Sequence, residues 1–436
     1  MNILDGLPSS SFEPKGEELS TLLSVSEARQ RLLASFTPVE AGLVPLALSS
    51  ERVLAEDIYS NQDLPLFDNS SMDGFAVRST DVSSATPDHP VVLQVVGDIP
   101  AGSMSSITLQ SGESARIMTG APLPAGADAV VPVEDTDQYQ HGRLPEGSPP
   151  SEVSIFSGTR RGGFVRSRGQ DVQNGQKVLA AGVRLRPQDL GLLAMLGFAE
   201  VPVREHPRVA IVSTGDELLP VGEPLLPGKI HDSNAYTLAA AIRRDGGETI
   251  YLGIVPDLES AVHEALEGAI ANDVDLIISS AGVSVGAFDF VRSVVEEHGK
   301  LEFWRVNMRP GKPLAFGSYR ETPFIGLPGN PVSAFVGYEV FVRPALLKMA
   351  GLPDIPRKSV KVQLEEPVES DGRESYLRAI VHLEDGRRVA RLTGHQGSGN
   401  LLSLVQANAL LIIPSGVKSL PANAEVNAWM LGDGDS

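Results

Sequence analysis

The sequence predicts an α/β protein enlarged by β-rich parts and divided into several domains. Three observations carry that expectation. Residues 206–353 alternate apolar, β-branched runs with helical patterns; residues 65–168 alternate short strand-like runs with Gly/Pro turns; strand patterns return from 354 onward. A chain of 436 residues has room for about three domains at roughly 150 residues each, every one large enough to bury a core.

In chain order, residues 1–23 read as a short flexible leader, with neither the basic start nor the apolar centre of a signal peptide. From Ser24, "SVSEARQRLLASF" and "SSERVLAEDI" read as short capped helices on either side of the strand-like "LVPLAL". The runs "PVVLQVVGDI", "SARIMTG", "ADAVVPVED" and "EVSIFS" follow as strands. Helix returns at "RPQDLGLLAMLG", with Pro187 near a first turn and Gly197 placed to end it. Residues 65–168 are therefore expected to be a β-rich insertion in a discontinuous domain made of 24–64 and 169–205.

Within 206–353, "RVAIVST", "ETIYLGIV" and "DVDLIISSAG" are runs of buried-strand type. Between them lie the helices "SNAYTLAAAIRRDGG" and "LESAVHEALEGAI", the second with Leu258, Val262, Leu266 and Ile270 spaced for one face. Such alternation predicts a three-layer α/β domain with a mostly parallel sheet. In 354–436, "YLRAIVHLEDGRRVARLT" reads as a hairpin turning at Asp385-Gly386, part of a small barrel or sandwich.

Composition narrows the function. A formal net charge of −19 speaks against a general nucleic-acid binder, whose affinity rests on a basic surface. Cysteine is absent, which excludes disulfides, thiolate nucleophiles and cysteine-ligated metal, and fits a reducing, cytoplasmic setting. The eight histidines show no metal-site spacing. No apolar run approaches the length needed to span a membrane.

In an open parallel sheet, ligands bind beyond the carboxyl ends of the strands. Three such ends carry unusual loops: Thr214–Leu218 ("TGDEL"), Ser280–Phe290 ("SAGVSVGAFDF") and Leu327–Phe335 ("LPGNPVSAF"). The last two offer small residues and backbone N–H groups able to cradle a phosphate, although neither is a Walker A or dinucleotide fingerprint. Gly-rich turns also occur with no ligand, and Asp216 or Asp257 would serve equally as a turn or N-cap residue. Glu217, Asp257 and Asp289 nevertheless fall at or near strand ends on one edge, and acids beside a phosphate imply a bridging Mg2+. Close by, "FWRVNMRPGKPLAFG" sets Arg305, Arg309 and Lys312 around the rigid Pro310-Gly311-Lys312-Pro313, which suits a tetrahedral oxyanion. One more stretch, "FDNSSMDGFA", holds Asp73 between phenylalanines among more polar residues than a plain turn needs.

The runs "DNSSMDGFAVR", "RIMTGAPLPAGADAVV", "STGDEL", "SAGVSVGAFDF", "MRPGKP", "GLPGNPVSA" and "TGHQGS" occur in this order along the chain. Together they make a sequence that resembles the molybdopterin molybdenumtransferase family (MoeA and the E domain of gephyrin), from about Val25 to near the C-terminus. The resemblance implies an elongated four-domain subunit that forms a homodimer. It implies a MogA-like α/β catalytic domain over 206–353, an inserted β-rich domain over 65–168 and a C-terminal β-barrel over 354–436. The implied reaction is Mg2+-dependent insertion of molybdate into adenylyl-molybdopterin with release of AMP. The dithiolene sulfurs of the pterin would take the molybdenum, which agrees with a chain that has no cysteine.

Matching motif positions, the resemblance gives Gly282, Ser284 and Gly286 to phosphate, and Glu217, Asp257 and Asp289 to Mg2+ and the anhydride bond. Arg305, Arg309, Lys312, Ser333, Arg378 and Ser398 would hold molybdate or the terminal phosphate of the pterin, with Pro313, Pro328 and Pro331 in the same loops. Asp73, Thr119 and Asp171 would complete the cleft from the partner subunit. Many family members have lysine where this chain has Arg305 and Arg309, so a point charge becomes a planar fork. The implied partners are a second copy of the chain, a MogA-like molybdopterin adenylyltransferase as substrate donor and, as for gephyrin-like scaffolds, a peptide. A CinA-like pyrophosphate hydrolase would share the phosphate loops but need none of "DNSSMDGFA", "MTGAP" or "GHQGS". A scaffold released from catalysis could lose the carboxylates that this chain retains.

Overall fold

The computed structural model of the chain describes residues 22–139, 147–280, 288–353 and 357–432. They form two compact units, one from the described parts of 1–55, 182–186 and 200–436, the other from 56–181 and 187–199.

The second unit is built on a five-stranded sheet, in the order Ala129–Pro132, Gly74–Val77, Glu113–Ile117, Val91–Ile99, Glu152–Ile155. Along Gly74–Val77 the side chains alternate between two cores: Phe75 and Val77 pack with Val131 and Val153, Ala76 with Ile99 and Ile117. Gly74 is required by close approach, because a Cβ there would lie 2.1 Å from the Val131 carbonyl oxygen. The short strand Asn69–Ser70 pairs with Val165–Arg166. Helix Pro187–Met195 begins at its proline and is followed by Gly197 at φ 79°, with the N–H groups of Gly197 and Phe198 bonded to the Ala194 and Leu193 carbonyls.

The first unit opens with helix Val25–Ala34, capped by Ser24, whose Oγ accepts the Glu27 N–H at 3.2 Å. The expected helix at "SSERVLAEDI" does not form. Val53 and Leu54 are buried there in extended backbone, bridged to Arg184 and Val203, and the Leu54 N–H bonds the Val183 carbonyl at 2.9 Å. Long-range pairing outweighs a local helix preference worth only tenths of a kcal/mol per residue. "LVPLAL" is strand as far as Pro45, with Ala41–Pro45 paired to Glu200–Arg204, and then a 3-10 turn over Leu46–Leu48.

The strands of the central sheet are numbered here in chain order: β1 Arg208–Thr214, β2 Glu248–Val255, β3 Leu276–Ser280, β4 Gly299–Arg305, β5 Pro313–Tyr319 and β6 Thr322–Leu327. Their spatial order is β2-β1-β3-β6-β5-β4. The first four in that order run parallel, and β5 and β4 add an antiparallel edge. Helices α1 (Asn234–Arg244), α2 (Glu259–Ala271), α3 (Phe288–His298) and α4 (Pro331–Gly337) cover both faces. Val209 and Ile211 of β1 pack with Leu238, Ile242, Val332 and Val336 of α1 and α4. Ala210 and Val212 face the other way, onto Val262, Leu266, Val294 and Val295 of α2 and α3. The result is the three-layer α/β arrangement that the sequence predicts. In α2, Val262 and Leu266 are buried as their spacing requires, while Leu258 is the exposed N-cap.

Beyond it, Ser359–Leu364, Glu374–Glu384, Arg387–Leu392, Ala409–Ile413 and Glu425–Met430 close into a β-barrel, because Glu374–Glu384 pairs with both Arg387–Leu392 and Ala409–Ile413. The expected hairpin turns at Asp385 and Gly386, with φ of 48° and 78°, as a two-residue turn matched to strand twist demands. A buried ionic network joins the barrel's entry to the α/β layers. Glu339 accepts two bonds from Arg357, at 2.8 and 2.9 Å, and one from Arg244 at 3.0 Å. Among the described residues, no helix is long and apolar enough to cross a membrane.

Candidate active site

Strand register decides which loops share an edge. Thr214 lies opposite Val255, Ser213 opposite Ser280, and Ser280 opposite Leu327, so β1, β2, β3 and β6 end in one row. Reversal of β5 brings its start, Pro313, to the same edge, and β4, antiparallel to β5, ends there at Arg305, paired with Pro313. Connections 215–217, 256–258, 306–312 and 328–330 therefore open together. Gly282, Ser284 and Gly286 lie outside the described residues. Of Asp289 the backbone alone is described, in the first turn of α3.

An acidic group forms at the β1 and β2 ends. Glu217 folds back over Gly215, where a Cβ would sit 2.5 Å from its Oε2 and φ is 144°; glycine alone accommodates both. Asp216 Oδ1 accepts the Asp257 N–H at 3.3 Å. Asp257 is not the cap of α2, a position taken by Leu258. Its Oδ1 is buried and has no donor among the described residues. Burial pushes the Asp257 carboxyl above the ordinary carboxylate range, and the charges of Asp216 and Glu217 add to the rise. Among the described residues, the triplet whose ligand atoms all lie within 4.8 Å is Glu365, His382 and Glu384, exposed on the barrel. Asp216, Glu217 and Asp257 are spread more widely than that. A buried carboxylate oxygen with no donor among the described residues, beside like charges, can be completed by a cation. A loose set suits Mg2+, which takes one or two carboxylates and leaves room for phosphate oxygens and water.

A cationic group forms where the barrel meets loops 306–312 and 328–330. Arg378 is fully buried (0% exposed), and its Nε and Nη2 donate to Ser403 Oγ at 3.1 Å and the Gly397 carbonyl at 2.9 Å. Its Nη1 has no acceptor, and no carboxylate pairs with it among the described residues. Burial, with the charge of Arg309, pushes its pKa down to about 10. The Ser398 carbonyl accepts the Val332 N–H at 3.1 Å, beside buried Ser333 in the first turn of α4. That turn follows Pro328 and begins at Pro331. A Cβ on Gly311 would lie 3.7 Å from the Ser333 carbonyl oxygen, so the Arg309–Lys312 loop reaches the same place. Arg309 stands 4.0 Å from Asp371, which Arg373 also binds; Arg305 and Lys312 are exposed. A buried guanidinium with a free donor and, among the described residues, no carboxylate can accept an anion.

In the other unit, Asp73 Oδ1 accepts both the N–H and the Oγ1–H of Thr119 at 2.7 Å, so these two form one pair. Asp171 belongs to a different one, with Arg166, which lies opposite Asn69 in the short ladder. Asn69 Oδ1 is buried with no partner among the described residues. The sequence motifs point to neither Asn69 nor Arg166. Asn69 stands in the same run as Asp73, whereas the contact of Arg166 with Asp171 comes only from the fold.

Matches to known proteins span most of the chain. The family model described as "MoeA N-terminal region (domain I and II)" matches residues 23–197, "Probable molybdopterin binding domain" matches 210–348, and "MoeA C-terminal region (domain IV)" matches 361–431. A protein of Nostoc sp. named molybdopterin molybdenumtransferase is 40% identical over 391 residues, 88% of this chain and 87% of its own. Molybdopterin molybdenumtransferase 2 of Mycobacterium tuberculosis is 42% identical over 396 residues, 89% of this chain and 94% of its own. The crystal structure of a molybdopterin biosynthesis MoeA protein from Pyrococcus horikoshii covers 95% of this chain and 100% of its own, with a TM-score of 0.81 at 32% identity.

Proposed function

Because the chain belongs to the MoeA family, which acts in molybdenum cofactor biosynthesis, we propose that it inserts molybdate into adenylyl-molybdopterin and releases AMP with Mg2+. One observation carries this reading. A single sheet edge holds an acidic group with a buried oxygen that, like the arginine lying where loops from that edge meet the barrel, has no partner of opposite kind among the described residues. Arg378, with Arg309 and Lys312, would neutralise molybdate or the terminal phosphate of the pterin, while Ser333 and Ser398 orient it. Glu217, Asp257 and Asp289 would hold Mg2+, which when bound supplies positive charge to the phosphate that departs. Asp216 fastens the Asp257 backbone and so fixes where that carboxylate stands. The absence of cysteine supports a cytoplasmic setting and a metal held by substrate sulfur, with a MogA-like adenylyltransferase as the donor.

The decisive assay incubates the protein with adenylyl-molybdopterin, Mg2+ and molybdate, and follows AMP release and molybdenum retention together. Release that depends on molybdate is the expected result. Release indifferent to molybdate would indicate a pyrophosphate hydrolase, and no turnover with tight binding of a peptide would indicate a scaffold. Arg309→Ala and Lys312→Ala, at partly or fully exposed positions, are expected to leave stability within about 0.5 kcal/mol. They should raise the molybdate concentration needed for half-maximal rate, and excess molybdate should partly restore the rate. An unchanged molybdate dependence in both variants would remove this loop from the mechanism.

The reading includes a homodimer in which each site draws on both subunits. Its support is that Asp73, Thr119 and Asp171, which match family site motifs, stand in a different unit from the acidic and cationic groups. Mixing an Asp73→Ala subunit with an Asp289→Ala subunit is expected to recover part of the activity that each lacks alone. Mixed dimers that form and stay inactive would refute the shared site.

A further inference from the structure

Asn234 opens α1 and is 6% exposed. The chain just before it is fastened by Asp232, also buried, which accepts from Ser213 Oγ at 2.5 Å, Tyr251 OH at 3.0 Å and the Ala235 N–H at 3.2 Å. That ties the start of α1 to β1 and β2. The amide of Asn234 then has one possible orientation. Its Nδ2 donates to the Gly329 carbonyl at 2.8 Å, and because a carbonyl only accepts, the NH2 group must face it. The amide oxygen is left over. It is buried and has no donor among the described residues. Ser280 Oγ is also buried and unpartnered, and it follows Ile278 on the face of the sheet that packs against α1 and α4.

What an acceptor in this position needs is a donor. Ionised phosphate and molybdate oxygens accept, so neither can satisfy the Asn234 oxygen. Arg309 and Lys312 of loop 306–312 and Arg378 of the barrel are donors, yet none of them bonds the Asn234 oxygen. A ribose hydroxyl, an adenine amino group or a pterin N–H would supply what is missing. Deepening the proposed reaction and resting on it, we propose that Asn234 Oδ1 accepts a hydrogen bond from an N–H or O–H of the substrate's uncharged part. Asn234 is then the residue that distinguishes adenylyl-molybdopterin from a bare phosphate.

The test is calorimetric binding, with Mg2+ present, of three probes: inorganic pyrophosphate, AMP and non-adenylylated molybdopterin. Wild type is compared with Asn234→Ala and with Asn234→Leu, which keeps the volume should the smaller residue loosen the fold. Pyrophosphate affinity is expected to be unchanged, while one of the other two weakens roughly tenfold, as for loss of one buried hydrogen bond. A loss with AMP assigns the donor to the nucleoside; a loss with molybdopterin assigns it to the pterin. Equal weakening of all three would show that Asn234 acts only by holding loop 328–330 through Gly329, and unchanged affinity for all three would show no contact; either result overturns the proposal. Failure of pyrophosphate to bind the wild type would instead overturn the phosphate edge on which the proposed reaction depends.

Discussion

Asp257→Asn is expected to slow AMP release by on the order of 100-fold and, at the same time, to raise the melting temperature of the metal-free protein. The two effects have one source. Asp257 Oδ1 is buried with no donor among the described residues, and Asp216 and Glu217 add like charge. Its folded pKa is raised, so the folded state binds this proton more tightly than the unfolded chain does. Stability contributed by the group is full below the unfolded value and is lost as pH rises through the raised one. At neutral pH the charge therefore opposes folding, and the amide removes it while keeping the shape. The proposed reaction needs that same charge to hold the cation that would stabilise the departing phosphate. Mg2+ should accordingly raise the melting temperature of the wild type more than that of the variant. A variant that releases AMP at the normal rate across a Mg2+ titration would take Asp257 out of the site.

Glu339→Ala is expected to cost about 3–5 kcal/mol, the penalty for leaving buried charge uncompensated. The Glu339 side chain is fully buried and receives Arg357 and Arg244 directly. Next to them, Arg343 already has its pKa pushed down by burial and by Arg357. Without the carboxylate, these cations face one another with Asp245 as the acid that the network retains. Calorimetry should show the transition of the unit that contains residues 200–436 lowered by on the order of 10 °C, with the transition of the other unit unmoved. Glu339→Gln, which keeps the hydrogen-bonding shape, should fall between the two. An unchanged transition in Glu339→Ala would mean that the network adds nothing to stability.

Periodicity made much of the fold legible. The buried strands, the stripe of Val262 and Leu266, the left-handed Gly197 and the Asp385-Gly386 turn each follow from local chemistry, and the structure contains them all. The segment Ser49–Ile58 was not legible, because its extended form depends on Arg184 and Val203, distant partners that no local pattern announces. The candidate site divides along similar lines. Motifs nominate Asp73 and Thr119, and the structure joins them. What motifs cannot show is an absence: among the described residues Arg378 has no carboxylate partner, and Asp257 and Asn234 each keep an oxygen with no donor. Asp257 also illustrates how one residue type serves two ends, since an acid just ahead of a helix fits a cap as readily as a buried ligand.

Strand Ala41–Pro45 has its partner at Glu200–Arg204, and this sets an order on synthesis at the ribosome. At roughly 5–20 residues per second, the early strand waits on the order of ten seconds for its mate, long compared with the milliseconds to seconds in which small domains fold. The five-stranded sheet, whose last strand ends at Ile155, is fully synthesised within that interval. Helix Val25–Ala34 waits longer still, because Val25, Ala28 and Leu32 are covered by residues as late as Leu346 and Tyr376. Val25, Ala28 and Leu32, early to leave the ribosome, are thus among the last core residues to be buried. A chain stalled before Glu200 displays an uncovered apolar helix and an unpaired strand, the kind of surface that chaperones hold and other nascent chains adhere to.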